Sequence, residues 1–198
     1  MFTGIVKQVF QVLKIIENHK NKTFEILADP FFIQEIQIDE SIAHDGVCLT
    51  VESKNLQQNS YTVTAIYETL IKTSLQHWSV GKRVNIERSL KLNDLMGGHF
   101  VQGHVDTTAV LKNIENQEGS YQLFFEYPSE FHRYIVPKGS ICVNGVSLTV
   151  VLDKPGLFSV CVIPFTWEHT NFKHLKINDL VNIEFDIIGK YLAKWNNQ

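Results

Sequence analysis

Residues 41–51 read SIAHDGVCLTV, and residues 140–150 read SICVNGVSLTV. Seven of the eleven positions are identical at a spacing of 99. The echo extends in both directions. Val84-Asn85-Ile86-Glu87 returns as Val181-Asn182-Ile183-Glu184, now 97 apart. MFTGIV at positions 1–6 lines up with FVQGHV at 100–105 through Gly4/Gly103 and Val6/Val105. The chain is therefore two copies of one unit of about a hundred residues. Such a duplication can hold two similar ligands in two similar sites, as a reaction joining two copies of one molecule requires.

The repeated stretch also sets local structure. Asp45-Gly46 and Asn144-Gly145 are dipeptides that accept positive φ, as a tight hairpin needs. Apolar and alternating runs around them predict strands over 5–13, 23–27, 47–52, 60–66 and 83–88. The second copy repeats them over 104–111, 121–126, 146–152, 158–163 and 180–185. Helices are expected in pairs. One starts near Asp29-Pro30, a capping residue followed by a proline at the first helical position, and has its partner near 128–134. The other pair spans 68–75 and 166–172. Short strands with two small helices per copy predict a mainly β protein of two tandem closed six-stranded β-barrels, closure removing the exposed sheet edges. Gly97-Gly98 reads as the linker, dividing the chain into barrels over 1–97 and 98–186. In the tail 187–198, Ile187, Ile188, Tyr191, Leu192 and Trp195 form the stripe of an amphipathic C-terminal α-helix over 187–195. With both barrels closed, that stripe is free to pack on another subunit.

Composition excludes several classes. The net charge is −3 and no run of lysines or arginines occurs, so a nucleic-acid footprint is absent. No apolar stretch approaches the ~18 residues of a membrane span. The N-terminus has no basic lead before an apolar segment, which reads as a cytoplasmic protein. Three cysteines without a C-x-x-C pair suggest free thiols. No phosphate-cradling P-loop, no G-x-G-x-x-G after a strand and no G-x-S-x-G elbow is present.

Two motifs can carry chemistry. In the repeated strand, residues two apart share a face, so Cys48 lies with Thr50 and Ser147 with Thr149. Retention of this polar pair in both copies points to a ligand-facing surface, against the plainer reading of a strand facing water. In GGHFVQGH, His99 and His104 are five apart, on opposite sides of a strand, which argues against a shared metal. No other spacing resembles a metal site. His104 replaces Ile5 of the first copy, and reads either as a general acid or base or as a satisfied structural histidine. Asp186 opposite Ser89, and Lys138, also break the repeat. Both read as tuning charges or as ordinary surface charges.

MFTGIV, HDGVCLTV, VNIERS, GGHFVQGHVD and NGVSLTV, in this order over the whole chain, resemble the riboflavin synthase family. The resemblance implies dismutation of two 6,7-dimethyl-8-ribityllumazine molecules by four-carbon transfer, giving riboflavin and 5-amino-6-(ribitylamino)uracil without cofactor or metal. It implies a homotrimer joined through C-terminal helices, with each site between the N-terminal barrel of one subunit and the C-terminal barrel of a neighbour. Association with lumazine synthase is a further implied partnership. Carried over by position, the first ligand meets Gly4, Ile5, Val6, Cys48, Leu49, Thr50, Thr64, Ala65, Ile66, Tyr67, Glu68 and Thr69, with Phe2 also implicated. The second meets Gly103, His104, Val105, Lys138, Ser147, Leu148, Thr149, Val162, Ile163, Pro164, Phe165, Thr166 and Trp167. His104 and Ser147 are expected to handle protons and water at the second ligand, with Cys48 and Asp186 assisting. The chain departs from the family at Phe165-Thr166-Trp167, where many relatives have Glu-Thr-Leu, while Glu68-Thr69-Leu70 is kept in the first copy. The competing reading is a non-catalytic antenna protein of the same fold that binds a lumazine or flavin.

Overall fold

Each copy closes on itself. In the computed structural model, which describes residues 1–195, the first copy supplies β1 (Gln8–Asn18), β2 (Asn21–Leu27), β3 (Ser41–His44), β4 (Val47–Asn55), β5 (Ser60–Ala65) and β6 (Arg83–Arg88). They form a closed barrel in the order β1-β2-β5-β4-β3-β6. The second copy supplies β7 (Thr107–Asn116), β8 (Tyr121–Glu126), β9 (Ser140–Val143), β10 (Val146–Lys154), β11 (Leu157–Val162) and β12 (Leu180–Phe185). Read from β7, its ring runs β7-β8-β11-β10-β9-β12, the same topology. Closure needs strands that bend. The register shifts between Val12 and Lys14 and between Val51 and Ser53 in the first barrel. It shifts again between Leu111 and Asn113 and between Val150 and Leu152 in the second. Such bulges twist a strand enough to turn a barrel corner. Each barrel has its own apolar core, around Phe24, Ile26 and Val63 in the first and Leu111, Phe125 and Phe158 in the second.

Four local readings change. β3 and β9 are the short first arms of the repeated hairpin, and no strand was expected there. β1 and β7 begin at Gln8 and Thr107 rather than at 5 and 104, because Gly4 and Gly103 turn the chain at φ 76° and 78°. The segment near 128–134 is a 3-10 turn, Ser129–Tyr134, whose N-cap residue Pro128 has no side chain to accept a hydrogen bond. At the equivalent place α1 (Pro30–Glu35) is a true helix, and its cap Asp29 accepts the Phe32 N–H at 2.8 Å. The expected helices 68–75 and 166–172 are each broken. α2 (Tyr67–Lys72) and α3 (Pro164–His169) stop at Thr73 and Thr170, whose extended backbones cap the following 3-10 turns Ser74–His77 and Asn171–His174. α4 (Ile187–Trp195) is the tail helix.

The barrels dock through the repeated hairpin itself. Gly46 and Gly145 face each other, and a Cβ on either would sit 2.8 Å from the other's backbone nitrogen. Asn85 Nδ2 donates to the Asn144 carbonyl at 2.9 Å, and Asn182 Nδ2 donates to the Asp45 carbonyl at 2.9 Å. Asp45 Oδ1 accepts from the Asn85 N–H and from Asn171 Nδ2, while its Oδ2 is buried without a partner among the described residues. Burial pushes the Asp45 carboxyl up to about 7, against the opposing charge of Lys82 and these two hydrogen bonds. A carboxyl raised in the folded state stabilises fully below its unfolded value near 4, and that contribution is lost as pH rises through about 7. Buried His44 has the opposite sign. It bonds the Ile42 carbonyl and the Tyr61 hydroxyl, and burial lowers it to about 4, so its contribution is lost as pH falls from about 6.5 to 4. Asp45→Asn is therefore expected to gain thermal stability relative to the parent at pH 8.5 compared with pH 5, by on the order of a few kcal/mol. Thermal melts of both proteins across that range check this, and a difference independent of pH would contradict it.

Candidate active site

Two equivalent surfaces flank the docking seam, and each is built from both copies. β4 presents Cys48 half-buried and Thr50 exposed, with Leu49 turned into the core, and β10 presents Ser147 and Thr149 likewise. This is the alternation the sequence predicts. Across each strand lies a crossover run from the other copy. The Cys48 N–H donates to the Gly103 carbonyl at 2.9 Å, and the Ser147 N–H donates to the Gly4 carbonyl at 2.8 Å. A Cβ at Gly103 would stand 2.6 Å from Cys48 Cβ, and one at Gly4 2.6 Å from Ser147 Cβ, so both approaches require glycine. Val105 packs on the first barrel's core and Val6 on the second's.

The expected grouping is thus exchanged. Gly4, Ile5 and Val6 accompany Ser147, Leu148 and Thr149, whereas Gly103, His104 and Val105 accompany Cys48, Leu49 and Thr50. The exchange is anchored where Phe2 and Val101 pair backbone to backbone, at 2.7 and 3.1 Å. It is held by two carboxylates. Glu87 accepts from Thr3 N, Thr3 Oγ1 and Gly4 N, and Glu184 accepts from the N–H groups of Gln102, Gly103 and His104. Burial raises both acids, Glu184 to about 7, against these donors. Spacing alone could not reveal this, because a run preceding a strand carries no signal for which barrel it crosses.

The remaining site residues divide by exposure. Phe2, Ala65 and Val162 are fully buried and Leu49 nearly so; Phe2 packs with Ala43, Val101 and Cys142. Ile66, Tyr67 and Glu68 are exposed at the start of α2, as are Ile163, Pro164 and Phe165 at the start of α3. Thr69 and Thr166 are half-buried, and their carbonyls accept from the Thr73 and Thr170 hydroxyls. Thr64 Oγ1 bonds Thr23 Oγ1 at 2.7 Å and donates to Glu52 at 2.8 Å. Trp167 stacks on Tyr121 with ring centroids 4.0 Å apart, and Phe165 stacks on His169 at 4.1 Å, so both family departures are packed into aromatic pairs. Lys138 is exposed at φ 67° in the turn before β9, the counterpart of Asp39 at φ 69°. Asp186 Oδ1 accepts the Ile188 N–H at 2.9 Å at the start of α4. Ile5 lines a cavity of about 570 Å³ with Thr3, Glu87 and Gly97. Among the described residues no group of three or more His, Cys, Asp or Glu side chains is placed to hold a metal ion.

His104, the favoured acid–base candidate, is exposed and stands with the first barrel, apart from Ser147. The histidine beside Ser147 is His99. Its Nδ1 lies 2.7 Å from Ser147 Oγ, its backbone N–H donates to the Thr3 carbonyl at 3.1 Å, and its Nε2 is buried without a partner among the described residues. Gly98 permits this, since a Cβ there would come within 2.8 Å of Ser147 Cβ. Burial lowers the His99 pKa below its ordinary value, partly offset by the charge of Asp186. An imidazole that stays neutral near pH 7 can accept the serine proton. Among the described residues the Cys48 thiol has no hydrogen-bond partner, so the two surfaces, alike in backbone, differ in chemistry. The signal for His99 was the glycine pair before it, which brings the backbone close to a neighbour.

The comparisons agree with this architecture. The sequence model of the Lumazine binding domain matches twice, over residues 3–89 and 102–186. Riboflavin synthase from Actinobacillus pleuropneumoniae is 37% identical over 197 residues, covering 98% of this chain and 89% of its own. Riboflavin synthase from Bacillus amyloliquefaciens is 37% identical over 195 residues with the same coverage. The crystal structure of LumP complexed with riboflavin superposes with a TM-score of 0.86 over 93% of this chain and 99% of its own, at 21% identity, which speaks to the fold. Two lumazine-binding barrels across the full length, with relatives of this identity, place the chain in the riboflavin synthase family.

Proposed function

We propose that the chain is a riboflavin synthase that dismutates two 6,7-dimethyl-8-ribityllumazine molecules by four-carbon transfer. One molecule gives up four carbons and leaves as 5-amino-6-(ribitylamino)uracil; the other gains them and becomes riboflavin. The observation that carries this reading is the retention, in both lumazine-binding copies, of a polar strand crossed by a glycine run from the opposite copy. The C7 methyl of the lumazine is already acidic, because its carbanion delocalises into the ring, so no strong base is needed. Holding two rings face to face makes the encounter intramolecular, worth about 7–11 kcal/mol at best. Positioned proton transfer adds about 10²–10⁴-fold.

Ser147 handles protons at the second surface, and His99 positions it. With Nδ1 accepting the serine proton, the His99 proton resides on Nε2, which is buried without a partner among the described residues. Cys48, Thr50 and the exposed His104 serve the first surface. Both surfaces are open in one chain, and α4 leaves Ile188, Tyr191, Leu192 and Trp195 exposed. A cytoplasmic homotrimer joined through α4, with each site closed by a neighbour's barrel, accounts for both features. Incubating the purified protein with the lumazine alone tests the activity. Riboflavin and the pyrimidine are expected in equal amounts; binding without conversion would leave the antenna reading.

A further inference from the structure

A groove of about 410 Å³ opens at the barrel seam, away from Cys48 and Ser147 in its lining, and both copies build it. The first contributes His77, Lys82 and Arg83; the second contributes His174, Lys176 and Asp179. His77 and His174 are repeat equivalents, 97 apart. An adjoining recess of about 240 Å³ shares His77, Lys82 and Asp179 and is also lined by Trp78, whose indole N–H is buried without an acceptor among the described residues. Several cations find carboxylates: Arg88 pairs with Glu35 and Glu40, Lys173 with Glu168, and Lys190 with Asp106. Lys82, Arg83 and Lys176 do not. Among the described residues none of their side chains donates to a hydrogen bond or joins an ion pair, although the whole chain is acidic. The one acid in the groove, Asp179, is occupied by the Lys176 backbone N–H at 2.9 Å. In the lining, three cations less one anion leave two positive charges around a concave space that two domains share, although Lys82 also acts on the buried Asp45 carboxyl.

We propose that this groove is a phosphate site, binding the dianion of a phosphate monoester or of free phosphate across the two barrels. The charge fits. A phosphate monoester carries about −1.5 to −2 at pH 7 with three acceptor oxygens, matching the excess of two positive charges and their unspent donors. Charge-assisted bonds to phosphate are the strong ones, and a guanidinium can grip two oxygens at once. Because Lys82 and Arg83 belong to one barrel and Lys176 to the other, the anion ties them together and adds to the stability of the docked state. The site is independent of the lumazine chemistry.

The test uses the full chain at fixed ionic strength, with inorganic phosphate, ribose 5-phosphate and chloride as probes. Thermal melts and the imidazole ring-proton NMR signals of His77 and His174 are followed through each titration. Both phosphates are expected to saturate, to raise the melting temperature and to shift both histidines, while chloride does neither. Tighter binding of ribose 5-phosphate assigns an ester as the occupant; equal affinities assign free phosphate. Arg83→Ala and Lys176→Ala should each weaken binding by about 10-fold or more. A response equal to that of chloride, or one that survives the double substitution, would overturn the proposal.

Discussion

Replacing His99 with alanine is expected to lower kcat by about 10²–10⁴-fold with a smaller change in KM, the scale of one lost acid–base arrangement. The cause is local. Ser147 Oγ loses the imidazole held 2.7 Å away, and no described side chain offers it a substitute. The pH profile separates positioning from mere structure. In the parent, activity should fall on the acid side as His99 is protonated, at a pH below the ordinary histidine value because burial disfavours the charged form. His99→Asn retains a hydrogen-bonding oxygen without a titratable proton, so it should recover part of kcat while abolishing the acid limb. A purely structural histidine predicts lower melting temperatures with kcat unchanged in the folded fraction. An unchanged kcat in a normally folded His99→Ala protein would remove His99 from the mechanism.

Deleting residues 187–198 is expected to abolish assembly and nearly all turnover together. α4 touches its own chain sparingly: Lys190 pairs with Asp106, and Gly189 approaches the Tyr134 carbonyl. Ile188, Tyr191, Leu192 and Trp195 of its apolar stripe are exposed, with Tyr191 at 71% and Trp195 at 80%, the surface the proposed trimer would cover. The barrels close without the helix, so the truncated chain should remain folded and soluble. Sedimentation and turnover measured on one preparation check this. A truncated monomer with full activity would reject both the role of α4 and a site shared between subunits.

Much of this was legible before the structure, and the rest was not for definite reasons. The repeat gave two barrels because 99-residue spacing survives in the hairpins, and each hairpin needs its positive-φ dipeptide. The stripe on 187–195 was legible because helical period is local. The final residues 196–198 of the tail lie outside the described ones. The exchange of crossover runs was not legible, since Gly4 and Gly103 are equivalent in sequence and only tertiary packing decides that each lies on the other's strand. His99 enters the sequence reading only through a parity argument against a metal shared with His104, which treats 99–104 as one strand. Gly103 breaks that strand, and β7 starts only at Thr107, so the parity never applied. The broken helices followed from Thr73 and Thr170, whose hydroxyls cap locally in a way an apolar stripe does not reveal.

The shared site is tested most directly by complementation. Thr50→Arg blocks the exposed face of the first surface and Thr149→Arg that of the second; each lies on the outside of its barrel. Each variant alone should be folded and nearly inactive. Unfolded and refolded together in equal amounts, they form mixed oligomers in which an intact first barrel meets an intact second barrel from a neighbour. With random assembly, about a quarter of the parent activity should return. Mixed oligomers that remain as inactive as their parents would contradict a site built between subunits.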